Sequence, residues 1–300
     1  MSTSINKYLY VAVKRQYEFV DFKYRINWSK TEFCNSIDEI EHPIVREALI
    51  LLNIDFPIEI TTFADVPAGT GLGSSSSFAV GLLHALYALK GEMISKGELA
   101  KQAAFLEIEI LGRNIGKQDH YAAAYGNLNV FRFHGDEKVT VEPVFYEKEI
   151  KEEIESRLLM FYTKTTRDAS KILKSQVENT DQKRDVLTKM KDLIPSLRTV
   201  FTDRKNLNDF GKILHEGWIL KKDITQDISS ETIDQYYQKA IECGAIGGKL
   251  LGAGGGGFFL FYAEKINHDN IRKGLKNLYE MKFKFDDAGT RITYYDQRNY

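Results

Sequence analysis

The pattern of hydrophobic and polar positions predicts a mixture of strands and helices. Runs of β-prone residues predict strands, of which the first two would form an opening pair, at 7–13, 17–27, 58–63, 128–133, 158–162, 257–262 and 291–295. Apolar residues at helical spacing predict helices at 42–52, 78–89 with a start within 74–77, 95–111, 120–125, 168–177, 184–193, 207–221 and 233–243. The charged segment 147–157 is interpreted as a solvated junction. This order predicts an α+β protein with two domains, 1–155 and 156–300.

Composition narrows the classes of function. The 300 residues are 43% hydrophobic, which is enough for a sizeable core, and 41 basic against 42 acidic residues leave a net charge of -1. Nothing in this balance favours nucleic acid or an anionic membrane, so we expect a small soluble ligand. The longest apolar runs are far below the roughly 20 residues of a membrane span. The two cysteines and six histidines show no metal-binding spacing, and we expect a reducing, cytoplasmic setting.

A glycine- and serine-rich run lies between the strand over 58–63 and the helix over 78–89, which is apolar on all sides. It reads Pro67-Ala68-Gly69-Thr70-Gly71-Leu72-Gly73-Ser74-Ser75-Ser76-Ser77. Glycines let backbone N–H groups turn toward an anion, the start of a helix favours negative charge, and serine hydroxyls can bind phosphate or magnesium. Serines before a helix can also be simple N-caps. Three alternate glycines followed by four serines exceed what one cap requires, so we predict a phosphate-binding loop.

A second glycine loop matches the dinucleotide-binding spacing G-x-G-x-x-G at Gly252, Gly254 and Gly257. Its context excludes that kind of site. A dinucleotide loop follows a strand and opens a helix, whereas this loop is predicted to follow a helix and open a strand. Two interpretations stay open: a flexible hairpin connection, or a close backbone approach to the first loop or to a substrate.

Glu107 is predicted to lie on an apolar face of the helix over 95–111. The residues that share this face, at spacings of three, four and seven, are Ala100, Ala103, Ala104 and Leu111. A carboxylate in such a place needs a partner. The partner is either a magnesium ion shared with the serines or a buried structural hydrogen bond. Glu109 lies on another side of the helix, where solvent satisfies it.

Asp119 directly precedes the predicted short helix over 120–125. An N-cap is the simpler interpretation of this position. The functional interpretation is a catalytic base, or a charge that orients a hydroxyl for attack on a phosphoryl group. We assign no role to His120.

Together these residues resemble the GHMP kinases, the superfamily of galactokinase, homoserine kinase, mevalonate kinase and phosphomevalonate kinase. The segment 67–77 is similar to the second motif of the family, and 249–257 to the third. Glu107, Gly112 and Asp119 repeat the spacing of galactokinases, in which a magnesium-binding glutamate lies five residues before a glycine and a catalytic aspartate seven after it. The resemblance implies the two-domain α+β GHMP kinase fold.

Within the superfamily the chain is most similar to D-glycero-D-manno-heptose 7-phosphate kinases, over nearly its whole length. The segments that carry this similarity are NIGKQD at 114–119, YAAA at 121–124, TRDASKIL at 166–173 and HEGWILKK at 215–222. These kinases phosphorylate the anomeric hydroxyl and yield heptose 1,7-bisphosphate for nucleotide-activated heptose in surface glycans. The resemblance therefore implies a sugar phosphate and ATP as ligands, and Mg²⁺ as cofactor.

The resemblance also implies roles for individual residues. The residues expected to bind ATP are Pro67, Ala68, Gly69, Thr70, Gly71, Leu72, Gly73, Ser74, Ser75 and Ser76. Ser75, with Ser74 as second choice, and Glu107 would hold Mg²⁺, and Asp119 would act on the acceptor hydroxyl. The expected substrate loop comprises Gly252, Ala253, Gly254 and Gly255. Lys117 and Arg167 are candidates for binding the phosphate of the substrate.

The start of the sequence departs from the family pattern, and rival functions stay open. The family opens with a strand and a glycine-rich loop before the segment that starts here at Ile5, and this sequence lacks them. We expect either that the given sequence starts about 30 to 40 residues too late, judged against typical domain sizes, or that the enzyme is impaired. The rival functions are a kinase for an unphosphorylated sugar such as fucose, and an inactive kinase-like sensor of sugar or nucleotide. The sequence leaves the oligomeric state open.

Overall fold

The computed structural model describes residues 1–17, 19–165, 169–202 and 206–296. The chain forms two compact units. The N-terminal unit comprises residues 2–67, 73–127 and the described residues from 286 onward, and the C-terminal unit comprises Met1, 68–72 and 128–285. The predicted domain ranges, 1–155 and 156–300, divide the chain elsewhere and stay a prediction.

Strands and helices are both present in quantity, which confirms the predicted α+β class. The strands are β1 (Ser2–Ile5), β2 (Leu9–Arg15), β3 (Tyr24–Asn27), β4 (Thr31–Cys34), β5 (Ile58–Ala64), β6 (Leu128–Phe133), β7 (Val139–Pro143), β8 (Leu158–Tyr162), β9 (Ala245–Leu250), β10 (Phe258–Ala263), β11 (Tyr279–Glu280) and β12 (Phe285–Asp286). The helices are α1 (Pro43–Leu51), α2 (Ser74–Leu89), α3 (Lys96–Phe105), α4 (Gln118–Tyr125), α5 (Lys148–Ser156), α6 (Ala169–Glu178), α7 (Arg184–Thr202), α8 (Asp209–Lys222), α9 (Glu231–Glu242) and α10 (His268–Gly274). Across the described parts of the chain, no helix combines the length and apolarity needed to cross a membrane.

The sheet of the N-terminal unit places β2, β5, β3 and β4 side by side in that order. β5 is antiparallel to β2 and parallel to β3. The predicted opening pair is therefore wrong, because β5 lies between its two members. Ile58 and Ile60 of β5 are fully buried, so one face of this central strand lies in the core. The predicted strand over 17–27 is confirmed only for its last four residues, Tyr24–Asn27.

Helix α2 forms the centre of the N-terminal unit. It packs against β2, α1, α3 and α4. Its buried residues lie on several sides of the helix: Ser76, Phe78, Ala79, Val80, Leu82, Leu83, Ala85 and Leu86. A helix that is apolar nearly all round must be surrounded by protein, as the sequence predicts. This packing fixes the position of the first turn of α2, where the serines lie.

The sheet of the C-terminal unit has the strand order β11-β8-β10-β9. Successive residues of β10 serve two different clusters, because side chains alternate between the faces of a strand. Phe259 and Phe261 pack with Trp218 of α8 and Tyr237 of α9. Tyr262 faces the opposite way and belongs to the second cluster, whose members include Leu128, Ile154, Phe201 and Phe210. Both faces of this sheet are therefore covered.

Two further predictions, one in each unit, are wrong. The segment 147–157, interpreted as a solvated junction, contains α5, in which Ile150 and Ile154 are buried. These isoleucines are four residues apart, and this spacing gives an amphipathic helix one apolar stripe. The predicted strand over 291–295 has no regular structure, although its tyrosines are β-prone. Its side chains are exposed, so no packing supports a strand there.

β9 lies where the sequence predicts no strand. Its glycines lower its strand propensity, but they allow α8 to approach closely, since an added Cβ on Gly247 would lie 2.0 Å from the carbonyl oxygen of Gly211. As a result the second glycine loop follows a strand, and the prediction that it follows a helix is wrong. The loop still opens a strand, β10, so the exclusion of a dinucleotide site stands. The predicted start of α6 at Asp168 lies outside the described residues.

Truncation of a buried and of an exposed phenylalanine tests the described core. Phe259 is fully buried, whereas Phe145 in the same unit is 81% exposed. We expect Phe259→Ala to lower the free energy of unfolding by about 3–5 kcal/mol, because it leaves a cavity, and Phe145→Ala to change it by less than about 0.5 kcal/mol. Urea unfolding followed by circular dichroism measures both. Equal effects of the two substitutions would contradict the described core.

Candidate active site

The first glycine loop has the backbone of an anion-binding loop. Gly69, Gly71 and Gly73 have φ of 75°, 81° and 71°, a left-handed region that other residues seldom adopt. Gly73 is the N-cap of α2 and has no side chain to cap the first turn. The serines therefore lie inside the first turn of the helix and are not its N-caps. Backbone N–H groups at such a start, together with the helix dipole, favour an anionic ligand.

The two glycine loops meet through their backbones within the C-terminal unit. A Cβ added to Gly71 would lie 2.7 Å from the carbonyl oxygen of Leu251, and one added to Gly252 would lie 2.4 Å from the Cα of Gly71. Distances this short leave no room for a side chain. The close approach between the loops that the sequence left open is thus present in the structure.

Residues outside the second loop form hydrogen bonds with its backbone. Lys221 donates a hydrogen bond to the carbonyl oxygen of Gly252, and Gln176 donates one to that of Ala253. The N–H of Gly255 donates to the carbonyl oxygen of Ile228 at 2.9 Å. The loop joins the antiparallel strands β9 and β10, so it is a hairpin connection, but these bonds fix its backbone.

Glu107 lies in a single turn of π-helix, Leu106–Ile110, that continues α3. The N–H of Leu111 donates to the carbonyl oxygen of Leu106, five residues earlier, at 3.1 Å. The wider turn buries Leu106 and Glu107 and leaves Glu109 exposed. Such single π turns occur frequently at functional sites. The predicted helix over 95–111 is confirmed, with its last turn wound as a π-helix, and the predicted burial of Glu107 is confirmed as well.

The buried carboxylate of Glu107 is bonded through both oxygens. Ser75 Oγ donates to Oε1 at 2.5 Å, and His120 Nε2 lies 2.9 Å from Oε2. Burial raises the pKa of the Glu107 carboxyl, but the hydrogen bonds from His120 and Ser75 and the charge of Arg113 lower it by more, so the pKa lies below its usual value. Glu107 is thus a carboxylate anion at neutral pH.

A positive charge already lies beside these two oxygen donors. Arg113 Nη1 donates to Ser75 Oγ at 2.7 Å and also contacts Oε1 of Glu107. The guanidinium is 33% exposed, whereas the carboxylate is fully buried. One hydroxyl and one carboxylate are hard oxygen donors, and Mg²⁺ is commonly held by one or two carboxylates together with substrate phosphates. The donor set therefore fits Mg²⁺. Among the described residues, no group of three or more His, Cys, Asp or Glu could hold a metal without such help.

Asp119 is exposed and lies in the first turn of α4, whose N-cap is Lys117. The interpretation of Asp119 as the N-cap is therefore wrong. A Cβ added to Gly73 would lie 3.2 Å from the Cγ of Asp119, so this carboxylate packs against the start of α2. The next residue, His120, points into the interior and reaches Glu107.

The structure thus brings Gly73, Ser75, Glu107 and Asp119 together inside the N-terminal unit. Ser74 and Ser76 flank Ser75 in the same helical turn. Lys117 is half-buried, and Arg167 lies outside the described residues. Sequence reasoning missed two members of the cluster, Arg113 and His120.

The sequence carries only weak signals for these two residues. Arg113 lies six residues after Glu107 in a polar loop, and His120 follows Asp119 on a short helix.

The contact between the loops yields a prediction with a matched control. Gly69 and Gly71 both have positive φ, but an added Cβ on Gly69 meets nothing within 4 Å. Both alanine variants should therefore share a backbone cost of about 1–2 kcal/mol, and Gly71→Ala should lose a further 1–3 kcal/mol, roughly, through overlap with Leu251. Thermal unfolding measures the difference, and hydrogen exchange of the Leu251 amide shows whether the loop has opened. Equal stability of the two variants would contradict the described contact.

Comparison with known proteins agrees with this geometry. The GHMP kinases N terminal domain matches residues 43–127, and the GHMP kinases C terminal domain matches residues 193–280. A D-glycero-alpha-D-manno-heptose 7-phosphate kinase of Campylobacter jejuni is 32% identical over 235 residues, which cover 77% of this chain and 69% of that protein. A bifunctional fucokinase/GDP-fucose pyrophosphorylase of Arabidopsis thaliana is 27% identical over 83% of this chain and 24% of its own.

A solved structure shows the same fold. The crystal structure of a D-glycero-D-manno-heptose 1-phosphate kinase from Bacteroides thetaiotaomicron superposes with a TM-score of 0.70 and 26% identity, covering 95% of this chain and 86% of that one. The family resemblance predicted from the motifs is confirmed. With both domains matched and a relative above 30% identity, the chain belongs to the GHMP kinases and has their two-domain α+β fold.

Proposed function

We propose that this chain transfers the γ-phosphoryl group of ATP to the anomeric hydroxyl of D-glycero-D-manno-heptose 7-phosphate. The observation that carries the proposal is the ionised, fully buried Glu107 bonded to Ser75 at the start of α2, with Asp119 against Gly73. This arrangement joins an oxygen donor pair for a divalent cation to a nearby carboxylate, as phosphoryl transfer requires. The choice of sugar rests on the relatives from Campylobacter jejuni and Bacteroides thetaiotaomicron.

ATP would bind through the first glycine loop and the first turn of α2, residues 67–76. The left-handed glycines free backbone N–H groups for the phosphates, and the helix dipole adds positive potential. Arg113 supplies a further positive charge beside Ser75. Binding through backbone groups positions the phosphates without requiring basic side chains in the loop itself.

Ser75 and Glu107 would hold Mg²⁺. When bound, the ion would neutralise charge on the phosphates and so favour transfer. The lowered pKa of Glu107 supports this role, because a metal ligand must be deprotonated. The phosphates and water would complete the ligand set, since the described protein atoms supply two oxygens.

Asp119 would orient the acceptor hydroxyl and accept its proton as the oxygen attacks the γ-phosphorus and the bond to ADP breaks. Its exposure leaves it accessible to a substrate, and its place beside Gly73 puts it close to the proposed phosphate loop. Gly252–Gly255 stay the expected substrate loop. Lys117 stays a candidate for the phosphate of the substrate, as does Arg167.

The fucokinase relative supports a second candidate function, phosphorylation of an unphosphorylated sugar such as fucose. The names of the heptose kinases also differ in the position of the phosphate that the substrate already carries. The proposal also includes the supply of activated heptose to a surface glycan, which rests on the sequence resemblance. It further includes action in the cytoplasm without nucleic-acid or membrane partners, which rests on the composition and the charge balance.

A panel of acceptors tests the proposal. The protein is incubated with Mg·ATP and heptose 7-phosphate, heptose 1-phosphate, mannose or fucose, and phosphorus NMR follows the products. We expect a new anomeric phosphate only with heptose 7-phosphate, and a rate about 10²–10⁴-fold lower for Asp119→Asn, which keeps the shape but loses the base. Product from fucose would favour the second candidate. No product from any acceptor would contradict the kinase activity of this chain and favour a sensor.

The metal role of Glu107 has a matched control in the same π turn. Glu107→Gln and Glu109→Gln make the same chemical change, but only Glu107 is buried against Ser75. We expect Glu107→Gln to lower kcat/KM by about 10²–10³-fold and to raise the Mg²⁺ concentration needed for half the maximal rate. Glu109→Gln should leave both unchanged. Coupled ADP-release assays over a magnesium series measure the two quantities, and similar losses in both variants would contradict the assignment.

A further inference from the structure

A fully buried histidine lies behind the proposed metal ligand. His120 and Glu107 both have no exposed side-chain surface, and His120 Nε2 lies 2.9 Å from Glu107 Oε2. Glu107 Oε1 accepts from Ser75 and the Arg113 guanidinium, and a carboxylate paired in this way can only accept, so Nε2 of His120 is the donor to Oε2. The orientation of the imidazole ring is thereby fixed.

The other ring nitrogen of His120 has no described partner, so the bond from Nε2 to Glu107 is the hydrogen bond that the ring makes. Within the described residues, Nδ1 of His120 is buried and has no hydrogen-bond partner. Buried polar atoms normally have partners, and one without a partner lowers stability. An apolar residue would avoid this cost. The bond from Nε2 to Glu107 is a polar contact that a histidine makes here and an apolar residue could not.

The two oxygens of Glu107 face different surroundings. Oε2 is bonded to His120 in the interior, whereas Oε1 is bonded to Ser75, which is exposed, and to the partly exposed Arg113. The interior bond stops the carboxylate from rotating about its terminal torsion, a torsion that is otherwise soft. Oε1 is therefore presented on the side of Ser75 and the start of α2.

We propose that His120 is a positioning residue that holds Glu107 with Oε1 directed at the proposed cation position beside Ser75. The inference rests on the proposed function, and it assigns a role to a side chain that needs no contact with ATP, sugar or metal. Partners of metal ligands commonly orient the ligand. Since His120 directly follows Asp119 on α4, the same bond also ties the helix that carries the proposed base to the turn that carries the proposed ligand.

The test measures binding of Mn²⁺, a spectroscopic substitute for Mg²⁺, to the full chain with a non-hydrolysable ATP analogue. Electron paramagnetic resonance reports the free ion. His120→Met and His120→Gln introduce unbranched side chains of equal length, but only glutamine carries an N–H donor. We expect Mn²⁺ binding to weaken by about 10–100-fold in His120→Met and to be largely restored in His120→Gln. His120→Asn, polar but shorter, should behave like His120→Met and replaces it if that variant does not fold.

Two controls separate positioning from general damage. His84, also in the N-terminal unit, bonds Thr290 and not the cluster, so His84→Met should leave Mn²⁺ affinity unchanged. In a Glu107→Gln background, His120→Met should cause no further loss, because the effect acts through Glu107.

The possible failures are distinguishable. Equal Mn²⁺ affinity of His120→Met and the unmutated protein, equal weakness of the Met and Gln variants, or a full loss in the Glu107→Gln background would each overturn the inference. Absence of Mn²⁺ binding to the unmutated protein would overturn the proposed metal role together with it. The expected Mn²⁺ pattern without turnover of any heptose phosphate would support the positioning role and overturn only the proposed substrate.

Discussion

A buried carboxylate imposes the constraint on which the rest of the site depends. Removing the charge of Glu107 from water costs roughly several kcal/mol. Only hydrogen bonds to the carboxylate and a nearby positive charge can offset this cost. Ser75, His120 and Arg113 provide them, and each comes from a different element: the start of α2, helix α4 and the loop after the π turn. The need to satisfy one charge therefore fixes three segments relative to one another.

The burial of α2 helps to meet this constraint, because it holds the helix start in place. The first turn of a helix usually frays, because its N–H groups lack partners within the helix. Here the helix is surrounded by β2, α1, α3 and α4, so its start has a defined position even with a glycine as N-cap. A glycine in that place gives up side-chain capping, and the packing of the rest of the helix compensates. The result is a rigid helix start whose N–H groups stay available to a ligand.

The sequence predicts the fold where local pattern and tertiary packing agree. The apolar helix over 78–89 and the strands over 128–133 and 158–162 are confirmed because their residues are buried as their pattern indicates. The pattern fails at α5 and β9. In α5 abundant charge concealed two buried isoleucines, and in β9 glycines with low strand propensity are required by the approach of α8. In both segments the deciding contact comes from a distant part of the chain.

The same distinction applies to the candidate site. Ser75, Glu107 and Asp119 could be selected because spacing and family resemblance point to them, and their proximity follows from the fold. His120 and Arg113 could not, since a histidine on a short helix and an arginine in a polar loop have many ordinary explanations. Only the three-dimensional arrangement shows that both bond to one carboxylate.

The π turn has a consequence for how this chain can be compared or redesigned. A π turn corresponds to an α-helix that has gained one residue. Loss of a single residue from Leu106–Ile110 would let regular α-helical winding resume and would remove the wider turn that holds Glu107, while the flanking turns keep their faces. A residue-by-residue alignment to a helix without this extra residue would then pair Glu107 with a position that faces elsewhere. The length of this short segment, and not only its composition, is part of what encodes the site.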